Sequence, residues 1–209
     1  MNSREKILQS VRNNQPPSRE LPTLPFEEAP SPGLCLVGGP AENFISVLES
    51  IGGAVYIVQS FEAIRKIIKE NFAGAKRIVS SCPELESVAE TNIRYEDVHS
   101  FADIDLAVIR AHFGVAENGA CWVTEDLLIE RALPFICQHL AIVLDCRDIV
   151  ADMHEAYRRI AAADYGFGSF IAGPSKTADI EQSLVLGAHG PRSMTVFLLD
   201  SDVADLGFF

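Results

Sequence analysis

Residues 171–191 read Ile-Ala-Gly-Pro-Ser-Lys-Thr-Ala-Asp-Ile-Glu-Gln-Ser-Leu-Val-Leu-Gly-Ala-His-Gly-Pro. An apolar run stops at Gly173-Pro174, small polar residues come next, and apolar positions recur up to Leu186. Gly187 to Pro191 then separates them from the apolar run 194–199. The pattern predicts strand, turn, helix, turn, strand. A strand feeding a helix through Gly, Ser and Thr presents unpaired N–H groups and the positive end of a helix dipole, which suits a phosphate or carboxylate. The turn would also lie at the carboxyl end of a strand, where ligands settle in open α/β sheets. Gly173, Pro174, Ser175, Lys176, Thr177 and Asp179 are therefore candidate ligand-binding residues. The same letters also fit plain helix-start chemistry, with Asp179 and Gln182 as a capping-box pair and Ser175 or Thr177 as an N-cap. Both readings stand at this point.

Working outward, the same alternation of strand and helix signals recurs. Phe44, Val47, Leu48 and Ile51 mark a helix ended by Gly52-Gly53. Residues 54–58 read as a buried strand, and Ser60 caps a helix carrying Phe61, Ile64, Ile67, Ile68 and Phe72 inward. Residues 77–80 read as a strand and 83–89 as a short helix; 106–109 is a continuous apolar run and hence a central strand. Asn118-Gly119 between apolar runs predicts a hairpin. Residues 140–144 form a further strand, and Asp148 caps a helix with Ile149, Val150, Met153, Tyr157 and Ile160 on one face. This rhythm predicts an α/β fold, a mostly parallel sheet flanked by helices, over residues 33–209.

Residues 1–32 form a separate appendage. Ile7, Leu8 and Val11 share one face behind Ser3, so residues 3–13 read as an amphipathic helix capped by Ser3. Pro16, Pro17, Pro22, Pro25, Pro30 and Pro32 make the segment from Asn13 to Pro32 an extended arm. The arm either drapes over its own domain, tethers loosely, or reaches another chain, in which case it supports a homo-oligomer or a scaffolding role.

A net charge of −12 over 209 residues argues against nucleic acid or anionic membrane as a partner. Cys35, Cys82, Cys121, Cys137 and Cys146 are widely spaced without a Cys-x-x-Cys pair. They read as buried free thiols of a cytoplasmic protein, with neither a disulfide framework nor a cluster or zinc site. No apolar run is long enough to insert into a membrane. No histidine or carboxylate set stands at metal-ligand spacing, so no metal and no cofactor bound by this chain is expected.

Glu117, in the hairpin turn, is the candidate catalytic carboxylate, as general base or covalent nucleophile; a solvated turn residue is the alternative. His189 between two glycines is a second candidate, pointing into a cleft as a donor, and His112 precedes the hairpin where it would line the same cleft. Lys176 and Arg192 flank the turns and would neutralise an anionic small molecule, unless they are surface charges. Gly190 allows close backbone approach.

Three blocks carry a family resemblance: Gly114-Val115-Ala116-Glu117-Asn118-Gly119, Gly173-Pro174-Ser175-Lys176-Thr177-Ala178-Asp179-Ile180-Glu181, and Gly187-Ala188-His189-Gly190-Pro191. In order and spacing they resemble the signature blocks of the lactate-utilisation protein C family, the LUD domain, over roughly residues 34–200. The resemblance implies a fold like that of ribose-5-phosphate isomerase, glucosamine-phosphate deaminase and the CoA transferases. It also implies a part in bacterial oxidation of L-lactate to pyruvate beside iron–sulfur partner proteins, the clusters lying in those partners. One departure is Asn118, where the family usually has Ser or Thr. Glu117-Asn118-Gly119 thereby also resembles the Glu-Asn-Gly segment of class I CoA transferases, which keeps open a free-standing enzyme acting on a CoA thioester or a phosphosugar through Glu117.

Overall fold

The computed structural model describes residues 2–17, 39–91, 93, 98–161, 163–180 and 183–200. The elements are α1 (Ser3–Asn13), α2 (Pro40–Ser50), β1 (Ala54–Val58), α3 (Phe61–Asn71), β2 (Ile78–Ser80), β3 (Leu106–Arg110), β4 (Phe113–Val115), β5 (Ala120–Thr124), α4 (Leu133–Ile136), β6 (His139–Asp145), β7 (Ile149–Val150), α5 (Met153–Ile160), β8 (Gly168–Ile171), β9 (Lys176–Ile180), β10 (Ser183–Leu186) and β11 (Ser193–Leu199). Most of the Pro-rich arm, Cys35 and the chain beyond Asp200 lie outside the described residues.

Five parallel strands form the central sheet in the order β1-β11-β6-β3-β2. Its inner strands are the continuous apolar runs, as strands covered on both faces must be. Alternate residues serve opposite faces: Leu106 and Val108 pack with Ile64 and Ile68 of α3, whereas Ala107 and Ile109 pack with Phe44 and Leu48 of α2. On the α2 side lies a second sheet, β7-β4-β5-β8, whose inward Cys121 and Val123 join that core. Its outward Phe113, Val115 and Trp122 are covered by Ala156 and Ile160 of α5. The layers therefore run α3, parallel sheet, α2 with the small sheet, α5.

The hairpin turns where expected. Phe113 pairs with Trp122 and Val115 with Ala120, and Gly119 takes φ +67°. A Cβ there would meet the Leu48 backbone at 3.0 Å, so the turn needs glycine for conformation and for space.

Several expectations are corrected. The helix expected within 171–191 is absent: Lys176–Ile180 and Ser183–Leu186 form an antiparallel hairpin, and Gln182 of the proposed capping box lies outside the described residues. A run this short is marginal as a helix without a buried face, and Val185 and Leu186 stay exposed. Ile149-Val150 is a strand pairing with Gly114 and Val115, so α5 starts at Met153 under Asp152, whose carboxylate accepts from the Glu155 amide at 2.7 Å. Residues 83–85 form a single 3-10 turn. β1 is an edge strand and largely exposed rather than buried. The cap of α1 is Asn2, in a reciprocal box with Glu5, and α1 buries no residue, leaving Ile7 and Val11 exposed.

Candidate functional site

The predicted turns lie at the amino end of the parallel sheet, because Pro191 and Arg192 lead into β11 and the Arg192 amide donates to Gln138 ahead of β6 at 2.8 Å. They close on each other: the Ser175 amide donates to Pro191 O and the Gly187 amide to Ser175 O, both at 2.9 Å. Those amides are thus occupied. Gly173, in the left-handed region at φ +69°, lies against the C-terminus of α2, where an added Cβ would sit 3.2 Å from Ile51 O. That is the negative end of a helix dipole, which Lys176 offsets by running over Gly52; a Cβ on Gly52 would lie 3.7 Å from Nζ.

The predicted residues separate into groups. Gly173, Pro174, Ser175, His189 and Gly190 line one cavity of about 220 Å³ with Phe135. Arg192 lines a neighbouring polar hollow with Lys76, Arg77 and His139. Thr177 pairs with Val185 in the hairpin, and Asp179 lies on the same strand β9. Glu117 is exposed at the start of α5, its carboxylate accepting from the Met153 amide at 2.9 Å. An acid at a helix N-terminus is favoured by the dipole, and this contact gives Glu117 a structural task. His112 does not join the His189 cavity.

At the opposite, carboxyl end, residues of separate segments converge where β3 leaves the sheet. His112 Nε2 lies 2.5 Å from Thr124 Oγ1, and the Thr124 hydroxyl donates to Asp126 Oδ1. A carboxylate only accepts, so the Thr124 proton goes to Asp126 and its oxygen accepts from His112 Nε2–H, which fixes that tautomer. The Thr124 hydrogen bond holds Asp126 below the usual carboxylate range. Glu125 is also lowered, first by its own amide and then by those of Phe167 and Gly166, to which it binds the loop ahead of β8. His112, Thr124 and Asp126 line a cavity of about 460 Å³ walled by Phe113, Trp122 and Arg159.

Asp126 is shared with a second cavity of about 200 Å³ that also contains Ser81, Thr91, Arg110, Leu128 and Ile129. Arg110 donates to Glu84 at 2.5 Å and stacks over Phe61 at 5.0 Å. Burial acts to raise Glu84, yet hydrogen bonds from its own amide and from Arg110 outweigh it and leave the carboxyl below its ordinary value. Sequence reading passed over Ser81, Arg110, Thr124 and Asp126. The signal was present in principle, since Ser81 just past β2 and Arg110 at the end of β3 stand where open α/β sheets place ligands.

Among the described residues no cluster of three or more His, Cys, Asp or Glu is arranged to hold a metal. Burial pushes the thiols of Cys121 and Cys137 up to about 12 and raises Cys82 as well. No described helix is long and apolar enough to cross a membrane.

Fold and cavities together define a layered α/β protein whose parallel sheet carries small-molecule-sized hollows at both ends. The chain belongs to the LUD domain family, whose model matches residues 85–199. It is similar to the lactate utilization protein C of Bacillus pumilus, 28% identical over 56% of this chain and 49% of that protein, and thus matches about half of that relative's length. A protein of the same name from Exiguobacterium sp. is 23% identical over 94% of this chain and 96% of its own length. In fold the chain resembles a crystal structure of a DUF162 family protein from Deinococcus radiodurans, with TM-score 0.59 and 18% identity over 77% of this chain and 96% of that one.

Proposed function

We propose that the chain is a component of bacterial L-lactate utilisation, serving the oxidation of L-lactate to pyruvate beside iron–sulfur partner proteins and recognising an anionic small molecule. The observation that carries this reading is the nearly end-to-end similarity to the Exiguobacterium lactate utilization protein C. Taking L-lactate to pyruvate releases two electrons and two protons, and the electrons need an acceptor. Cluster ligands are thiolates. Burial raises the Cys121 and Cys137 thiols to about 12; on this reading the clusters belong to the partners and recognition to this chain. Glu117, engaged with the start of α5, gains no observation in favour of nucleophilic catalysis.

The test is genetic. Deleting the gene in a host without a second copy abolishes growth on L-lactate as sole carbon source, and the intact gene restores it. Unchanged growth of the deletion strain contradicts the reading.

A further inference from the structure

Ser81 Oγ is, among the described residues, the buried side-chain polar atom without a hydrogen-bond partner. A buried hydroxyl left unpaired is unfavourable, and Ser81 is among the residues that line the cavity of about 200 Å³, where a bound group can supply the missing partner. Ser81 comes directly after β2, and its own amide donates to Val108 O at 3.0 Å, so the backbone fixes its position beside the end of β3. Arg110 stands at that end. Its guanidinium directs Nη2 to Glu84 and also engages the Cys82 thiol, and its five N–H donors on a planar group outnumber these two partners, a geometry suited to carboxylates. Arg65 donates to the Glu84 backbone carbonyl at 2.9 Å, which fixes the backbone that carries this carboxylate. In a chain of net charge −12, a small anion needs such a local cation.

We propose that the cavity at the carboxyl ends of β2 and β3 binds a small 2-hydroxy monocarboxylate, L-lactate being the case chosen because it rests on the proposed role in lactate utilisation. Arg110 and Ser81 take the carboxylate, Asp126 accepts from the 2-hydroxyl, and the methyl lies on Leu128 and Ile129. The volume of about 200 Å³ is below the range of drug- and coenzyme-sized sites and fits a three-carbon acid. Asp126 sets the preference: the hydroxyl of lactate donates to it, whereas the keto oxygen of pyruvate faces a carboxylate and acetate offers nothing. The site therefore ranks L-lactate above pyruvate and acetate.

The experiment is a titration of the purified full chain with sodium L-lactate, sodium pyruvate and sodium acetate at constant ionic strength, followed by calorimetry. Arg110→Gln is expected to weaken L-lactate binding about ten- to hundredfold, and Ser81→Ala about two- to tenfold. Glu84→Gln is expected to tighten binding, because it frees the guanidinium; a folding defect would not produce that gain. No L-lactate binding by the wild type overturns the site, as do equal affinities for all three acids or a Glu84→Gln variant that binds more weakly. If growth on L-lactate still depends on the gene, such a failure leaves the functional reading standing. Binding without growth dependence retains the site and removes that reading.

Discussion

At the amino end of the parallel sheet, the 173–175 and 187–192 turns are tied together by the Ser175 and Gly187 amides, and Gly173 lies against the negative end of α2. At the carboxyl end, Arg110, His112, Thr124 and Asp126 come together around two cavities, and one hydroxyl stays unpaired. Both ends are rich in Gly, Ser, Thr and charged residues, the letters commonly associated with binding. What differs is where the hydrogen-bonding groups are directed. The Ser175 and Gly187 amides hold one turn to the other, whereas a polar wall with a group left over has capacity for a ligand.

The comparison breaks most visibly at Gly187. Its φ of +74° and the 2.4 Å between an added Cβ and Arg192 Cγ make Gly187→Val destabilising by roughly 1–3 kcal/mol from backbone strain alone. Urea unfolding reads that loss. L-lactate affinity of the folded variant is expected to be unchanged; an affinity that falls with the substitution returns the site to the amino end.

Thr124→Val comes next. It removes the hydroxyl between His112 and Asp126, costs about 1 kcal/mol, and releases Asp126 toward its ordinary titration range, which carboxyl NMR tracks. An unmoved Asp126 titration would show that the hydroxyl does not hold it.

Acid stability samples both ends. Asp105 at the amino end is lowered by the amides of Lys76 and Arg77, Asp126 by Thr124, and Asp145 by Arg147. Folded values below unfolded ones contribute stability that is complete above the ordinary carboxylate range, about pH 4, and is lost as pH falls through the folded values. The melting temperature is therefore expected to drop below about pH 4. Asp105→Asn and Asp126→Asn should each flatten that drop, and an unchanged slope in either would remove that carboxylate from the account.

The smallest effect is expected at Glu117. Glu117→Gln keeps an acceptor for the Met153 amide and loses only the charge at the helix start, about 0.3–1 kcal/mol by urea unfolding. A larger loss, or a loss of L-lactate binding, would give the carboxylate a role beyond the cap.

Much of the fold was legible because its signals are local. Continuous apolar runs around Val108, Ile142 and Val196, short and rich in β-branched residues, read as covered strands, and Asn118-Gly119 carries its turn chemistry in two letters. The hairpin at 176–186 reads as a helix in sequence because a short apolar run fits both periods until tertiary pairing decides. Ile149-Val150 merges with α5 for the same reason, its strand character coming from Gly114 and Val115 far along the chain. The carboxyl-end site was least legible. Ser81, Arg110 and Asp126 have no common spacing, and only the parallel register of β2 and β3 and the loop after β5 make them neighbours.

The most direct test is backbone amide NMR of the isotopically labelled chain titrated with L-lactate. The account predicts saturable shifts at Ser81, Arg110 and Asp126, with Ser175 and His189 unmoved. Shifts gathered on Ser175, His189 and Gly190 while Ser81 and Arg110 stay still would contradict it and make the amino-end turns the binding site.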